Sequence, residues 1–292
     1  MIRLRIVDAF TDRAFAGNPA AVIRLDELAP DQLPDEGWYQ QLAAEINTPA
    51  TGFVLPAEDD QADFRLRWFS PRVELELCGH ATLASSHCLF DDGVAGPIRF
   101  ATRAGVFSVR QDDSGAVTLD LPAQPASRIE PPDGLSEALG AEPVWVGEGG
   151  GKYLAVLADP ATVRGLEPDL AVLAGYPVHG VIVTAGSDVE HADFVSRFFP
   201  PALGIAEDPV TGSAHTVLGP YWAGRLGRTE LTGLQVSPRT GLVGVRLVGD
   251  RAELTGTAVV VLDGRLAPAV VDVPMPAASP PAGTGTPAAP IS

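Results

Sequence analysis

Lysine is all but missing from this chain: Lys152 is the only one, and every other basic residue is arginine. Cysteine is nearly as scarce. Cys78 and Cys88 are too few for a disulfide framework, and their spacing fits no zinc site. No stretch approaches the roughly 18 apolar residues of a membrane span, and the opening MIRLRIVDAF alternates polar with apolar residues, which predicts no secretory leader. Basic charge is short overall, 20 residues against 37 acidic ones, for a net charge of −17. That balance excludes a nucleic-acid partner, whose phosphates require a basic footprint, and binding to an anionic membrane surface. Also absent are a G-x-S-x-G elbow, a P-loop, and a G-x-G-x-x-G turn opening a helix after a strand. Cys78, His80 and His87 have no metal-ligand spacing, so neither metal nor cofactor is expected. The remaining class is a soluble, cytoplasmic globular protein. Its 292 residues, 46% of them hydrophobic, suffice for a core without staples.

Short runs with period-2 alternation and β-branched content predict strands along most of the chain. Examples are Ile2–Ala9, Asp63–Phe69, Gly105–Gln111, Pro143–Gly147, Tyr153–Leu157, Asp193–Phe199 and Thr257–Leu262. Helical patterns are fewer: Glu36–Ile46, Gly79–Phe90, Thr162–Ala174 and Gly212–Gly224. Many strands with few helices indicate an α+β fold rather than a regular βαβ array.

An internal repeat organises these elements. Residues 62–71 read ADFRLRWFSP and residues 192–201 read ADFVSRFFPP, identical at six of ten positions at an offset of 130. GFVL at 52–55 is matched to GVIV at 180–183, and a glycine-led helix follows each repeat, at Gly79 and at Gly212. A duplicated half predicts two similar domains about a pseudo-two-fold axis, 1–121 and 143–271. The Pro- and Ala-rich segment 122–142 is the crossover. Residues 272–292, dominated by Pro, Ala, Gly, Ser and Thr, read as a disordered tail.

Each repeat leads through a loop into a helix that starts on small residues, Cys78-Gly79-His80 and Asp208-Pro209-Val210-Thr211-Gly212-Ser213. A helix start carries unpaired N–H groups and partial positive charge, so a glycine there makes an anion site. Two such starts facing each other would hold a carboxylate or a developing enolate. Taken singly they read equally as tight turns, with Thr211 or Ser213 as caps. Cys78, His80, Asp208, Ser213 and His215 are the reactive groups nearby, with burial able to tune a carboxylate or thiol toward acid–base work. The plainer readings are a solvated turn for Asp208, a small buried hydrophobe for Cys78 and a core histidine for His215. Glu45, at the C-terminal end of Glu36–Ile46, opposes the helix dipole and by itself reads as a solvated carboxylate.

Four segments, VDAFTDRAFAGNPAAV (7–22), AAEINTPATGFV (43–54), RWFSPRVELELCGHAT (67–82) and RFFPPALGIAEDPVTGSAH (197–215), together resemble the PhzF-like family, named for the phenazine-biosynthesis isomerase and similar in fold to diaminopimelate epimerase. The resemblance runs from about residue 2 to 265. It implies two curled, barrel-like sheets, each around a central helix, with the active site between them. It implies that Glu45 is the catalytic acid/base and that Asp208 and His80 relay protons or bind substrate. Gly79, Gly212, Ser213 and Cys78 would line the substrate site. The epimerase relative uses one cysteine on each face of an α-carbon. Here Cys78 lies where the first thiol belongs, and the second half has no cysteine.

The expected activity is therefore a cofactor-independent isomerisation, a proton moved between carbons of a small carboxylate-bearing metabolite. One alternative is an amino-acid racemase or epimerase using Cys78 with Asp208 or Glu45; another is a non-catalytic small-molecule-binding protein. Arg67 and Arg197 would either hold an anionic substrate or serve as ion-pair partners on the strands. A homodimer is expected from the resemblance alone.

Overall fold

The computed structural model describes residues 2–271. The tail expected at 272–292 lies outside the described residues.

The first half supplies β1 (Arg3–Ala9), β2 (Asn18–Arg24), β3 (Ala50–Pro56), β4 (Phe64–Phe69), β5 (Glu74–Leu75), β6 (Ile98–Thr102), β7 (Gly105–Gln111) and β8 (Val117–Pro122). The second supplies β9 (Ser127–Arg128), β10 (Trp145–Gly149), β11 (Lys152–Val156), β12 (Val181–Gly186), β13 (Phe194–Phe199), β14 (Glu230–Gln235), β15 (Gly241–Val248), β16 (Arg251–Gly256) and β17 (Ala258–Arg265). Between them lie α1 (Glu36–Ile46), α2 (Gly79–Asp91), α3 (Leu135–Leu139), α4 (Pro160–Gly165), α5 (Leu170–Leu173), α6 (Gly212–Leu226) and α7 (Pro268–Val271).

All the strands join one mixed sheet, and its pairing repeats. In the N lobe β2 runs parallel to β3, β3 antiparallel to β4, and β4 parallel to β6. In the C lobe β11, β12, β13 and β14 repeat the series with the same senses. The lobes meet where β8 pairs antiparallel with β16. The chain enters the C lobe at β9, which pairs with β10, and returns to the N lobe at its end, where β17 pairs with β1. This is an α+β fold of two curled lobes.

The repeat is visible at the level of single hydrogen bonds. Asp63 accepts the Arg99 amide and Asp193 accepts the Thr232 amide, each tying one hairpin to the next parallel strand. The hairpin registers pair Gly52 with Trp68 and Ile182 with Phe198. The 130-residue frame therefore sets Gly52 against Ile182, and the match of Gly52 to Gly180 is out by two residues. A slip of two keeps every side chain on its face, which is why the apolar pattern concealed it.

Helices α2 and α6 fill the lobes. Helix α2 is buried nearly all round, with small residues where strands approach; a Cβ on Gly52 would lie 2.6 Å from Ser85 Oγ. Two of its hydroxyls are satisfied inside the helix, Thr82 donating to the Cys78 carbonyl and Ser86 to that of Thr82, whereas Ser85 Oγ is buried without a partner among the described residues. Helix α6 runs through Pro220 to Leu226, past the expected end. Pro220 leaves the Thr216 carbonyl without its helical donor. The Gln124 amide takes that carbonyl at 2.9 Å. The single helix expected over Thr162–Ala174 is two, because Pro168 interrupts it and Asp169 caps α5 by accepting from Ala171 and Val172.

Residues 10–17 strap the N lobe to the C lobe. Gly17 donates to the Thr240 carbonyl at 2.7 Å, and Arg239 bonds Asp8 and the carbonyls of Ala16 and Gly17. Gly17 has φ +63°, and a Cβ there would sit 2.1 Å from the Ala9 carbonyl oxygen. That turn delivers Asn18, fully buried, to the junction between the lobes.

Candidate active site

The two glycine-led helix starts meet. A Cβ on Gly79 would lie 3.4 Å from the Gly212 Cα, and one on Gly212 would lie 3.5 Å from the Gly79 Cα. The N-caps have similar extended backbone: Cys78 at φ −144°, ψ 98°, and Thr211 at φ −116°, ψ 103°. Thr211 therefore occupies in the C lobe the place that Cys78 holds in the N lobe. The amides of Gly79, Gly212 and Ser213 open their helices where no preceding turn supplies an acceptor. Their partial positive charges add at the junction.

Asn18 ties the halves together. Its amide nitrogen donates to Asp208 Oδ1 at 2.8 Å and to the Val210 carbonyl at 2.8 Å, and lies 3.3 Å from His80 Nδ1. Its own Oδ1 is buried without a partner among the described residues. His80 Nδ1 is also 3.5 Å from Cys78 Sγ. On the other side Thr211 Oγ1 donates to Asp208 Oδ2, and Gln235 Nε2 donates to the Asp208 carbonyl at 2.7 Å. Gln235 Oε1 accepts the Thr211 amide at 2.8 Å. Cys78, His80 and Asp208 thus form one cluster with Thr211, expected only as a cap, and with Asn18 and Gln235, which the sequence motifs do not single out. The G-N-P turn was the available sign for Asn18.

Burial sets the charge states. It pushes the Cys78 thiol up to about 12, against the opposing Ala81 amide and with the Asp208 charge adding to it. It pulls His80 down to about 4, so the imidazole is neutral at pH 7. Asp208 is partly accessible, yet desolvation raises its carboxyl to about 6 although Thr211 and Asn18 both donate to it. His215 is buried further along α6 with Nδ1 2.8 Å from the Thr211 carbonyl, and burial pulls it to about 4. It braces the first turn of that helix. Ser213 is half-buried beside Gly212, and its carbonyl accepts the Thr216 hydroxyl.

Glu45 stands apart from this cluster. It is exposed near the C-terminal end of α1 and has no hydrogen bond or ion pair among the described residues. After a left-handed Asn47, the chain enters β3 at Ala50, which pairs with Ala20 of β2. Glu45 precedes by five residues the end at which β2 and β3 begin to pair.

Arg67 and Arg197 are ion-pair partners. Arg67 bonds Glu74 and Glu36, and Arg197 bonds Glu207 and the Leu166 carbonyl. They fix the two loops that lead to α2 and α6. Among the described residues no group of His, Cys, Asp or Glu is arranged to hold a metal, and no helix is long and apolar enough to cross a membrane.

Comparison with known proteins agrees with this fold. The family model described as "phenazine biosynthesis-like protein" matches residues 7–264. A protein of Pseudomonas aeruginosa named as an uncharacterized isomerase is 46% identical over 262 residues, covering 89% of this chain and 96% of its own length. The crystal structure of a phenazine biosynthesis protein of the PhzF family from Enterococcus faecalis superposes with a TM-score of 0.84 at 38% identity, covering 91% of this chain and 99% of that one. At 14% identity, a hydroxyproline epimerase from Agrobacterium vitis shares the fold, with a TM-score of 0.58.

Proposed function

The chain belongs to the phenazine biosynthesis-like PhzF family of isomerases, and from that premise we propose that it moves a proton between carbons of a small carboxylate-bearing metabolite without a cofactor. The observation that carries this reading is the abutting of Gly79 and Gly212, which puts two helix starts on one anion. Substrate carboxylate sits against those amides. As a proton leaves the adjacent carbon, the same amides stabilise the charge that develops.

Glu45 is the base and returns the proton at a second carbon on the same face. Its side chain is exposed, as a base that meets substrate from an open cleft must be. His80 is neutral, so one of its ring nitrogens carries a hydrogen that it offers to substrate oxygen. Asp208, raised to about 6, accepts or supplies a proton near neutral pH. Cys78 at about 12 is a protonated thiol at that pH, which favours a carboxylate base over a thiolate.

The test is solvent exchange. Incubating carboxylate metabolites with the protein in D₂O should give deuterium incorporation coupled to double-bond migration, lost in Glu45→Gln. Unchanged incorporation by that variant removes Glu45 from the mechanism. Incorporation with inversion at one carbon replaces isomerisation by racemisation, and binding without exchange leaves a binding protein.

A further inference from the structure

Lys152 is 6% exposed and meets no carboxylate within ion-pair distance among the described residues. Its ammonium donates to one acceptor, the Gly150 carbonyl at 3.0 Å, which leaves two donors unused. A buried cation without a counterion is among the costliest arrangements in a protein. Nothing proposed so far uses it.

Its direction follows from β11. Leu154 and Val156, on the same face of the strand, pack in the cluster that contains Ala214 and Val217 of α6, whereas Tyr153 and Ala155 belong to the opposite cluster. Lys152 therefore faces α6. Its place follows from the repeat. Ala50 pairs with Ala20, and the 130-residue frame carries Ala50 to Gly180, which lies opposite Lys152 by the β11–β12 register. Lys152 thus corresponds to Ala20, and Gly150 corresponds to Asn18. The ammonium folds back to the Gly150 carbonyl, at the strand position that Asn18 holds in the N lobe. Gln124 lies between that position and the start of α6. A Cβ on Gly150 would fall 2.2 Å from Gln124 Oε1. That oxygen lies 3.2 Å from the Thr216 hydroxyl, whose hydrogen goes to the Ser213 carbonyl at 2.9 Å.

A purely structural lysine would brace the Gly150–Gly151 turn. Both glycines have positive φ, and a Gly-Gly turn forms without help. Burial lowers Lys152 to about 8, so most of it is charged at pH 7.

We propose that Lys152 binds an acidic group of the substrate on the C-lobe side of the junction, so that the substrate carries two acidic groups, one against the helix starts and one on this ammonium. This deepens the isomerase reading and rests on it for the first carboxylate. The second group is an anion of carboxylate type, and the ammonium acts by position and charge without covalent chemistry.

The scarcity of lysine supplies the test. Protein made with lysine labelled with ¹³C at Cε gives a single side-chain signal. It is titrated with succinate, malonate and glutarate, and with butyrate as the singly charged control. A saturable shift with a dicarboxylate, absent with butyrate, supports the proposal. Lys152→Met should fold with unchanged Tm and bind the dicarboxylate about tenfold or more weakly, with partial rescue in Lys152→Arg. No saturable shift with any dicarboxylate, or equal binding by Lys152→Met, overturns it. Glu45→Gln separates the two readings. Exchange lost in that variant with a silent lysine signal refutes only the second acidic group, and a shifting signal with normal exchange refutes only the base.

Discussion

The two faces of the lobe junction share a backbone and differ in chemistry. On the N-lobe side, Cys78, Gly79 and His80 present a thiol and a neutral imidazole at the start of α2. On the C-lobe side, the same positions at the start of α6 hold Thr211, Gly212 and Ser213, with Asp208 folded against the Thr211 hydroxyl. Duplication kept what the backbone does, which is to aim two sets of amides at one point. It did not keep paired reactive side chains. Two thiols in matched places could serve opposite faces of one carbon; a thiol facing a threonine cannot. The asymmetry points to chemistry run by carboxylates on one face.

The largest expected effect tests that asymmetry directly. Glu45→Gln should lower exchange by about 10²–10⁴-fold. Because Glu45 is exposed and unpaired, its thermal unfolding should match the parent's. Full activity in the variant would return the search for a base to the cluster around Asp208.

The shared part of the comparison is tested next, at its point of contact. Gly212→Ala places a methyl 3.5 Å from the Gly79 Cα, an ordinary packing distance, so the fold should survive. The methyl nevertheless occupies the space between the helix starts. Carboxylate binding should weaken about tenfold, near 1.4 kcal/mol, while Tm holds. Gly79→Ala should behave alike, since each glycine meets the other. An effect from only one of the two would mean that the ligand sits on one helix and not between both.

A smaller effect concerns charge on the C-lobe side. The Asp208 carboxyl is raised in the folded protein to about 6, above its ordinary 3.8. Its stabilising contribution is therefore complete below pH 3.8 and is lost as pH rises through about 6. Asp208→Asn removes this dependence. Melting curves from pH 4 to 8 should show the variant gaining on the parent as pH rises, and a constant difference would mean that the carboxyl titrates normally.

Much of this comparison was legible in the residues. ADFRLRWFSP and ADFVSRFFPP announced the duplication because each motif residue does the same local work twice, Asp63 and Asp193 as hairpin ties, Arg67 and Arg197 as anchors of Glu74 and Glu207. The glycine-led helix starts were visible for the same reason. The return of β17 to β1 was not, because strand partners far apart in sequence leave no local pattern. Asn18 had no signal of its own beyond standing before a proline, since its role depends on His80, Asp208 and Val210 arriving from elsewhere. Lys152 drew notice only by being alone, and burial at the head of β11 is a property of the packed lobe.

The smallest expected effect closes the argument about the thiol. Cys78 lies 3.5 Å from His80 Nδ1, a distance that invites comparison with thiolate–imidazolium pairs. Burial works against such a pair from both ends, holding the thiol near 12 and the imidazole near 4. Ion-pair formation requires the reverse order of affinities for the proton. Cys78→Ser should therefore change turnover by no more than about threefold, under 1 kcal/mol of barrier, and Cys78 in the parent should resist alkylation at pH 8. Rapid alkylation, or a loss comparable with that of Glu45→Gln, would restore the thiol as the acid or base. Thr211→Cys sharpens the point: a second thiol at the matched place should bring no exchange at an α-carbon, because geometry alone does not ionise either sulfur in so enclosed a junction.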